Sequence, residues 1–554
     1  MKLTIPILFA LLIASVSGWA QVPPGGSQSP VEILEGVRKL EFRKLPDGTE
    51  LQILAGNVKL RQGTTLFYTD SCVVNSTQRV FEAFGNVHIN DSDTTHIYSN
   101  HLRYLIDPRY AYLDGNVRLT DGHGTLTTNA LEYDVANGIG TYNNGGKVVR
   151  GKSVLTSREG VYYSDVKDIY FRQDVELKDP AYYLKTDSMI YNTETEVARF
   201  ISDTYMIDSA KRTIRTTQGY YDLKTRHAEF SERTTIIDKG TRIVGDQIAN
   251  DDVTGIVQIR GNGVLIDSAQ GVSILANEIF ANKKTEAYLA TKKPLMIIRQ
   301  EKDSIYVAAD TLFTARLSDL FIQKDTSAGN VADSATAQTS TKGKATKNQK
   351  TAKNQQAPPK VTPPKDSTDR YFEAYRNVRI YSDSVQAVSD SLFYSFKDST
   401  FRMFDNPVIW SKGSQITGDT VFLYTRNKKA DRFRAWENSF IINEVEPSVY
   451  NQVKSSRMDG FFKEGQIDSV RARGLAESVY FIRDDDSAYT GINQTKSDIL
   501  DVYFRNGDLH KVVFRSAVKG TLWPISQKRP GEMKLPGFSW LEARRPKTKY
   551  ELME

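Results

Sequence analysis

Leu54-Ala-Gly-Asn-Val-Lys-Leu60 is the stretch that decides the fold, because the chain writes it repeatedly. It returns as Phe84-Gly-Asn-Val-His-Ile89 and as Asp114-Gly-Asn-Val-Arg-Leu119, so the Gly-Asn-Val core starts at 56, 85 and 115. A fixed period of that size marks a repeat architecture. Each copy is followed by a short polar residue with an apolar residue two positions on. The polar column runs through Asp70, Asn100, Asn129, Glu159, Asp187, Gln218, Asp246, Asn277 and Asp310. Its apolar partners begin with Cys72, Leu102, Leu131, Val161 and Met189, and a tyrosine often follows, as at Tyr104, Tyr133, Tyr163, Tyr191 and Tyr394. Apolar-x-Tyr alternation is the period-2 signature of a half-buried strand.

The expected unit is therefore two strands and two turns per roughly 30 residues, with no helical periodicity, which fits an antiparallel meander. The repeats run from Leu51 to about Phe321 and resume at Tyr371 with Tyr375-Arg-Asn-Val-Arg-Ile380. The later registers Asp419, Asp459 and Asp498 are about 40 residues apart, and longer loops are expected there. The Asp/Asn column reads as a structural ladder of turn residues whose side chains bond nearby backbone amides. A catalytic column would instead need unlike environments to separate acid from base.

Residues 1–20 read as a signal peptide: Lys2, then the apolar Leu3–Val16, then Gly18-Trp19-Ala20 as a cleavage site. Residues 324–370 carry seven lysines at 342–365 and little apolar bulk, so a disordered linker is expected. The domains expected are a repeat domain over 31–323, a second over 371–515, and a tail over 516–554 that either packs across the final strands or docks a partner. The net charge of +6 on 554 residues gives no argument for nucleic acid, and none is expected as a partner. The lone Cys72 occupies an apolar repeat position and reads as a small buried hydrophobe.

No phosphate loop, nucleophile elbow or zinc-protease helix is present in the sequence. His88, His96 and His101 are close enough to meet across a hairpin, but ordinary turns surround them and no metal is expected. The reading is of a protein that is not an enzyme and needs no cofactor. Two rivals stand beside it: a polysaccharide-active enzyme on a parallel β-helix, and a structural or adhesive surface protein.

The repeated Gly-Asn-Val-x-Leu followed by Asp/Asn-x-Leu-x-Tyr resembles the OstA/LptA family of periplasmic lipopolysaccharide-transport proteins, most clearly over 51–321. The resemblance implies an all-β, elongated, slide-like antiparallel β-jellyroll that holds lipid A acyl chains between its sheets and bridges them towards the outer membrane. It implies lipopolysaccharide as ligand, LptC-like and LptD-like transport components as partners, end-to-end self-association, and a periplasmic location with outer-membrane association left open. The groove candidates it carries onto this chain are Val58, Leu60, Val87, Ile89, Leu102, Tyr104, Val117, Leu119, Leu131, Tyr133, Met189 and Tyr191. Two repeat blocks, a lysine-rich linker and an aromatic tail depart from a single-module bridge protein.

Overall fold

The computed structural model describes residues 30–299, 304–320 and 368–553, apart from 428, 485, 487, 506–507 and 529–531. The expected signal peptide and residues 324–367 of the expected linker lie outside these. The chain divides into two units, Met1–Asp179 with Tyr191–Glu194, and Pro180–Ile190 with Thr195–Glu554.

In the first unit the strands Glu50–Gln62, Thr65–Asn75, Val80–Asp91, Thr95–Leu105, Tyr110–Thr120 and Thr125–Asp134 each pair antiparallel with the next. The fold is all-β and antiparallel, as the repeat pattern predicts, and this removes the parallel β-helix.

The Gly-Asn pair lies inside the strand. The Glu50–Gln62 ladder pairs Ala55 with Ser71 and Val58 with Thr69, so Gly56 and Asn57 together face Asp70 alone. Both adopt left-handed backbone, at φ 80° and 53°. That conformation is open to glycine at no steric cost and to asparagine at little. A two-residue bulge of this kind bends the strand and increases its twist. Each long strand thus contributes one half to each of two sheets, joined at a corner of Gly-Asn bulges. Gly85-Asn86 and Gly115-Asn116 repeat the geometry opposite Asn100 and Asn129.

This corrects the reading of the Asp/Asn column as turn residues. Asp70, Asn100, Asn129, Asp187 and Asn277 sit mid-strand at the corner, while Gln218, Asp246 and Asp310 mark a corner where the strand is interrupted. Bonds from the column run to the next repeat: Asn86 Nδ2 donates to Asp70 Oδ2 at 2.8 Å. From residue 139 the bend opens further. Ile139–Tyr142 and Gly146–Arg150 become separate strands pairing with the two halves of Thr125–Asp134.

In the second unit, Ile256–Asp267 and Val272–Asn282 restore the full pattern around Gly261-Asn262. The strand Tyr371–Tyr381 pairs with both Ser304–Ala308 and Thr311–Ala315, so the repeats on either side of 321–367 are direct neighbours in the sheet. Among the described residues the long loops expected late in the chain are absent. The extra residues lengthen the strands Lys429–Glu446, Val449–Lys463, Gln466–Arg483 and Tyr489–Arg505, while the turn between the first two is only 447–448. A further strand, Lys519–Pro524, pairs with Gly491–Lys496 beyond the point where the repeat fades from the sequence.

Candidate functional site: the interior and its seam

Alternation places one face of each half-strand inward, and the inward positions are where the apolar residues fall. None of the twelve groove candidates is more than 3% exposed. Val58, Leu60, Val87, Ile89, Val117 and Leu119 lie on half-strands after the corner. Leu102, Tyr104, Leu131 and Tyr133 lie on half-strands of the other sheet, and the structure brings the sets together. A Cβ placed on Gly140 would stand 3.5 Å from Leu119 and Tyr133 and 3.7 Å from Leu131, drawn from both sheets. Met189 falls in the second unit and Tyr191 in the first, on the strand Tyr182–Asn192. The sequence reading missed Phe67 and Phe81, whose rings lie 4.7 and 4.9 Å from Tyr104 and fill the same interior.

Away from the corner, the two sheets meet along a seam, where the first unit joins them by side-chain bonds. Tyr104 Oη donates to Gln62 Oε1 at 2.6 Å, Tyr133 Oη to Asp91 Oδ2 at 2.8 Å, and Tyr162 Oη to Asp121 Oδ2 at 3.0 Å. Each bond spans 41 or 42 residues, joining the outer end of one sheet's strand to that of the other. Burial raises the tyrosine hydroxyls, Tyr104 to about 12, so they are neutral donors at any physiological pH. For Tyr133 and Tyr162 the facing carboxylates push in the same direction. Burial also opposes ionisation of Asp121, but donors from Gly124, Thr193, His123 and Tyr162 outweigh it and hold the carboxyl below its usual range.

These polar residues were not among the sequence candidates, although a signal was present. Gln62, Asp91 and Asp121 each stand six residues after the glycine of a Gly-Asn-Val core. Replacing Tyr133 by Phe is expected to cost about 1–2 kcal/mol, because buried Asp91 loses a donor. Tyr112→Phe, on an exposed position, serves as the control. Urea unfolding of the two variants checks this.

At hairpin ends of the second unit the polar contacts are ionic. Arg212 bonds Asp208 at 2.5 Å and Asp252 at 2.8 Å, and Lys283 reaches Asn250 and Asp252. Burial would raise Asp252, but Arg212, Asn250 and Lys283 more than offset it and keep it ionised.

The tail packs across the second unit. Gln452 donates to Met533 O and accepts from Leu535 N, at 2.8 and 2.9 Å. Gln415 does the same with Ser539 O and Leu541 N at 2.8 and 2.7 Å, and Gln386 Oε1 accepts from Arg545. Met533 and Leu535 complete a cluster with Phe440, Ile442, Val479, Phe481 and Ile492, and Leu552 packs on Leu295 and Ala308. Where tyrosine hydroxyls bonded to Gln62, Asp91 and Asp121 hold the seam in the first unit, here the chain's own end lies over the inward-facing glutamines.

His88 and His96 do meet, at 3.2 Å, but His101 turns to Asp114 at 2.8 Å, and among the described residues no group of three metal-ligating side chains assembles. Burial, with His96 and Arg118 nearby, lowers His88 below the usual histidine range. Cys72 is wholly buried and burial pushes its thiol up to about 12, so it carries no thiolate at neutral pH. Among the described residues no helix is long and apolar enough to cross a membrane.

No curated protein matches the chain. A family model does, over the repeats that carry the corner and the tyrosine seam: residues 31–187 match the OstA-like protein family.

Proposed function

We propose that the protein is a non-enzymatic lipid-transport component that holds the acyl chains of lipopolysaccharide between its two sheets and passes them towards the outer membrane. One observation carries this reading. Over Glu50–Asp134 the apolar interior is bounded on one side by continuous bent strands and on the other by a seam of side-chain bonds. Opening that seam exposes the interior without breaking a strand ladder. The OstA-like match supports the transport class.

The energetics favour such a carrier. Each buried methylene contributes about 0.8 kcal/mol, so an acyl chain of a dozen or so carbons costs roughly 10 kcal/mol to leave in water. An interior lined by Leu, Val, Ile and aromatic side chains offsets that cost while the charged outer faces stay hydrated. In this reading the first 20 residues direct export to the periplasm, and LptC-like and LptD-like components hand lipid on and off. Copies of the chain join end to end through edge strands. The repeats 31–323 form the main conduit. The second block, 371–515, extends it beneath the tail, and 324–370 is a linker.

The test uses the purified full chain and a fluorescent fatty-acyl probe. Lipopolysaccharide should displace the probe, while its polysaccharide stripped of acyl chains should not. Failure of the probe to bind, or equal displacement by the stripped polysaccharide, would point to a structural or sugar-binding protein with a sealed interior.

A further inference from the structure

At most corners of the second unit the second left-handed residue is polar, and at the last two it is not. At many earlier corners the second bulge residue is asparagine, with Asp174 and Lys293 as exceptions, and several of these asparagines repay their left-handed backbone by bonding the preceding repeat. Asn86 reaches Asp70, Asn262 reaches Asp246, and Asn438 reaches Asp419 at 3.1 Å. At Gly474-Leu475 the position is leucine, at φ 53°, 80% exposed. A leucine there loses the repeat's hydrogen bond, carries a conformation that side chains with a Cβ disfavour, and presents its apolar surface to water. The next corner, Ser516-Ala517, is also left-handed and is followed by Val518, 55% exposed.

Arginines flank both corners. Arg473 precedes Gly474 and pairs across the ladder with Arg457 on one side and Ile499 on the other, and Ile499 pairs with Arg515, which precedes Ser516. The adjoining row of the same face is Arg434, Asp459, Arg471 and Asp501. There Arg434 bonds Asp459 at 2.6 Å, and Arg471 and Arg515 bond Asp501 at 2.6 and 3.1 Å. Those two carboxylates cannot neutralise the face. Among the described residues Arg473 has no acidic partner, and Arg432 has only the ring of Tyr424, 4.2 Å away. The exposed Phe461 and Tyr503 share Arg432's row of the ladder, and with Arg432, Arg434, Arg471 and Arg473 they line a depression of about 360 Å³.

We infer that this face, with Leu475 and Val518 as its apolar tip, docks the second unit onto an anionic lipid bilayer. Excess cationic charge matches anionic headgroups, aromatic rings favour the headgroup boundary, and the protruding aliphatic side chains reach the acyl region. A soluble polyanion would explain the arginines but not the leucine. The inference does not depend on lipid being carried between the sheets.

The full chain is sedimented with phosphatidylcholine vesicles, with and without a large fraction of phosphatidylglycerol. Binding should require the anionic lipid and weaken as salt is raised. Leu475→Asn places there the residue that corners such as Gly261-Asn262 use, so the fold is kept, and binding should fall about tenfold. Arg432→Gln with Arg473→Gln should lower it about thirtyfold, since each cation near such a surface counts for a near-constant factor. Vesicle binding untouched by both variants would assign attachment to the lysines of 342–365 and overturn the inference. So would equal binding to neutral vesicles, or heparin binding as strong as vesicle binding and unaffected by Leu475→Asn.

Discussion

Deletion of residues 525–553 is expected to destabilise the second unit by about 3 kcal/mol or more and to open its interior. Met533, Leu535 and Leu552 are buried, and Phe538 and Trp540 pack against the same core. Burial of a large apolar side chain contributes about 1.5–3 kcal/mol, so these residues give a gross gain well above the cost of ordering the parts of the tail that make no contacts. The loss is compounded because Gln452 and Gln415, both almost fully buried, would each lose a donor and an acceptor. A buried amide without partners costs about 1–3 kcal/mol. Calorimetry should show the second unit melting earlier while the first is unchanged. An apolar fluorescent probe should bind the truncated chain more strongly, because Phe440, Ile442 and Phe481 become accessible. Unchanged melting would mean that the tail rests on the sheets without contributing to their stability.

The second large effect is expected at the corner. Gly85 stands at φ 78°, and a Cβ added there would approach Asp70 Oδ2 to 2.6 Å. Gly85→Val combines a left-handed backbone, which β-branching makes worst, with a contact that displaces the carboxylate from Asn86. About 1–3 kcal/mol for the strained conformation and about 1 kcal/mol for the lost bond give a destabilisation of roughly 2–4 kcal/mol. Gly85→Asn meets the same contact but tolerates the backbone, and should cost less. Urea unfolding of both variants gives the ordering, and Val milder than Asn would mean that the corner is not a left-handed bulge.

How far the sequence could be read follows from which features repeat and which do not. The Gly-Asn-Val core and the apolar-x-Tyr alternation announce antiparallel strands because both express backbone geometry, a left-handed bulge and a pleat, that every repeat needs. The same alternation put all twelve groove candidates on the inward side. It does not distinguish a turn from a mid-strand corner, since Asp and Asn suit both, and at Asp70 the structure has the corner. The longer late registers were equally ambiguous, because a longer period lengthens loops or strands alike.

The seam was hidden for a different reason. Gln62 and Tyr104 lie 42 residues apart on different sheets, and only the closure of the corner brings their strand ends together. The tail's placement rests on three glutamines, 386, 415 and 452, at uneven spacing and with no motif of their own.

The central claim is that lipid acyl chains occupy the space between the sheets. In-cell photocrosslinking tests it most directly, with a probe at Leu131 and another at Glu132. Leu131 is 1% exposed and faces the interior, while Glu132 is on the opposite face, where it accepts a bond from Tyr110 at 2.7 Å. The account predicts lipopolysaccharide adducts at 131 and none at 132. Adducts at neither position in folded, exported protein, or at 132 alone, would contradict it.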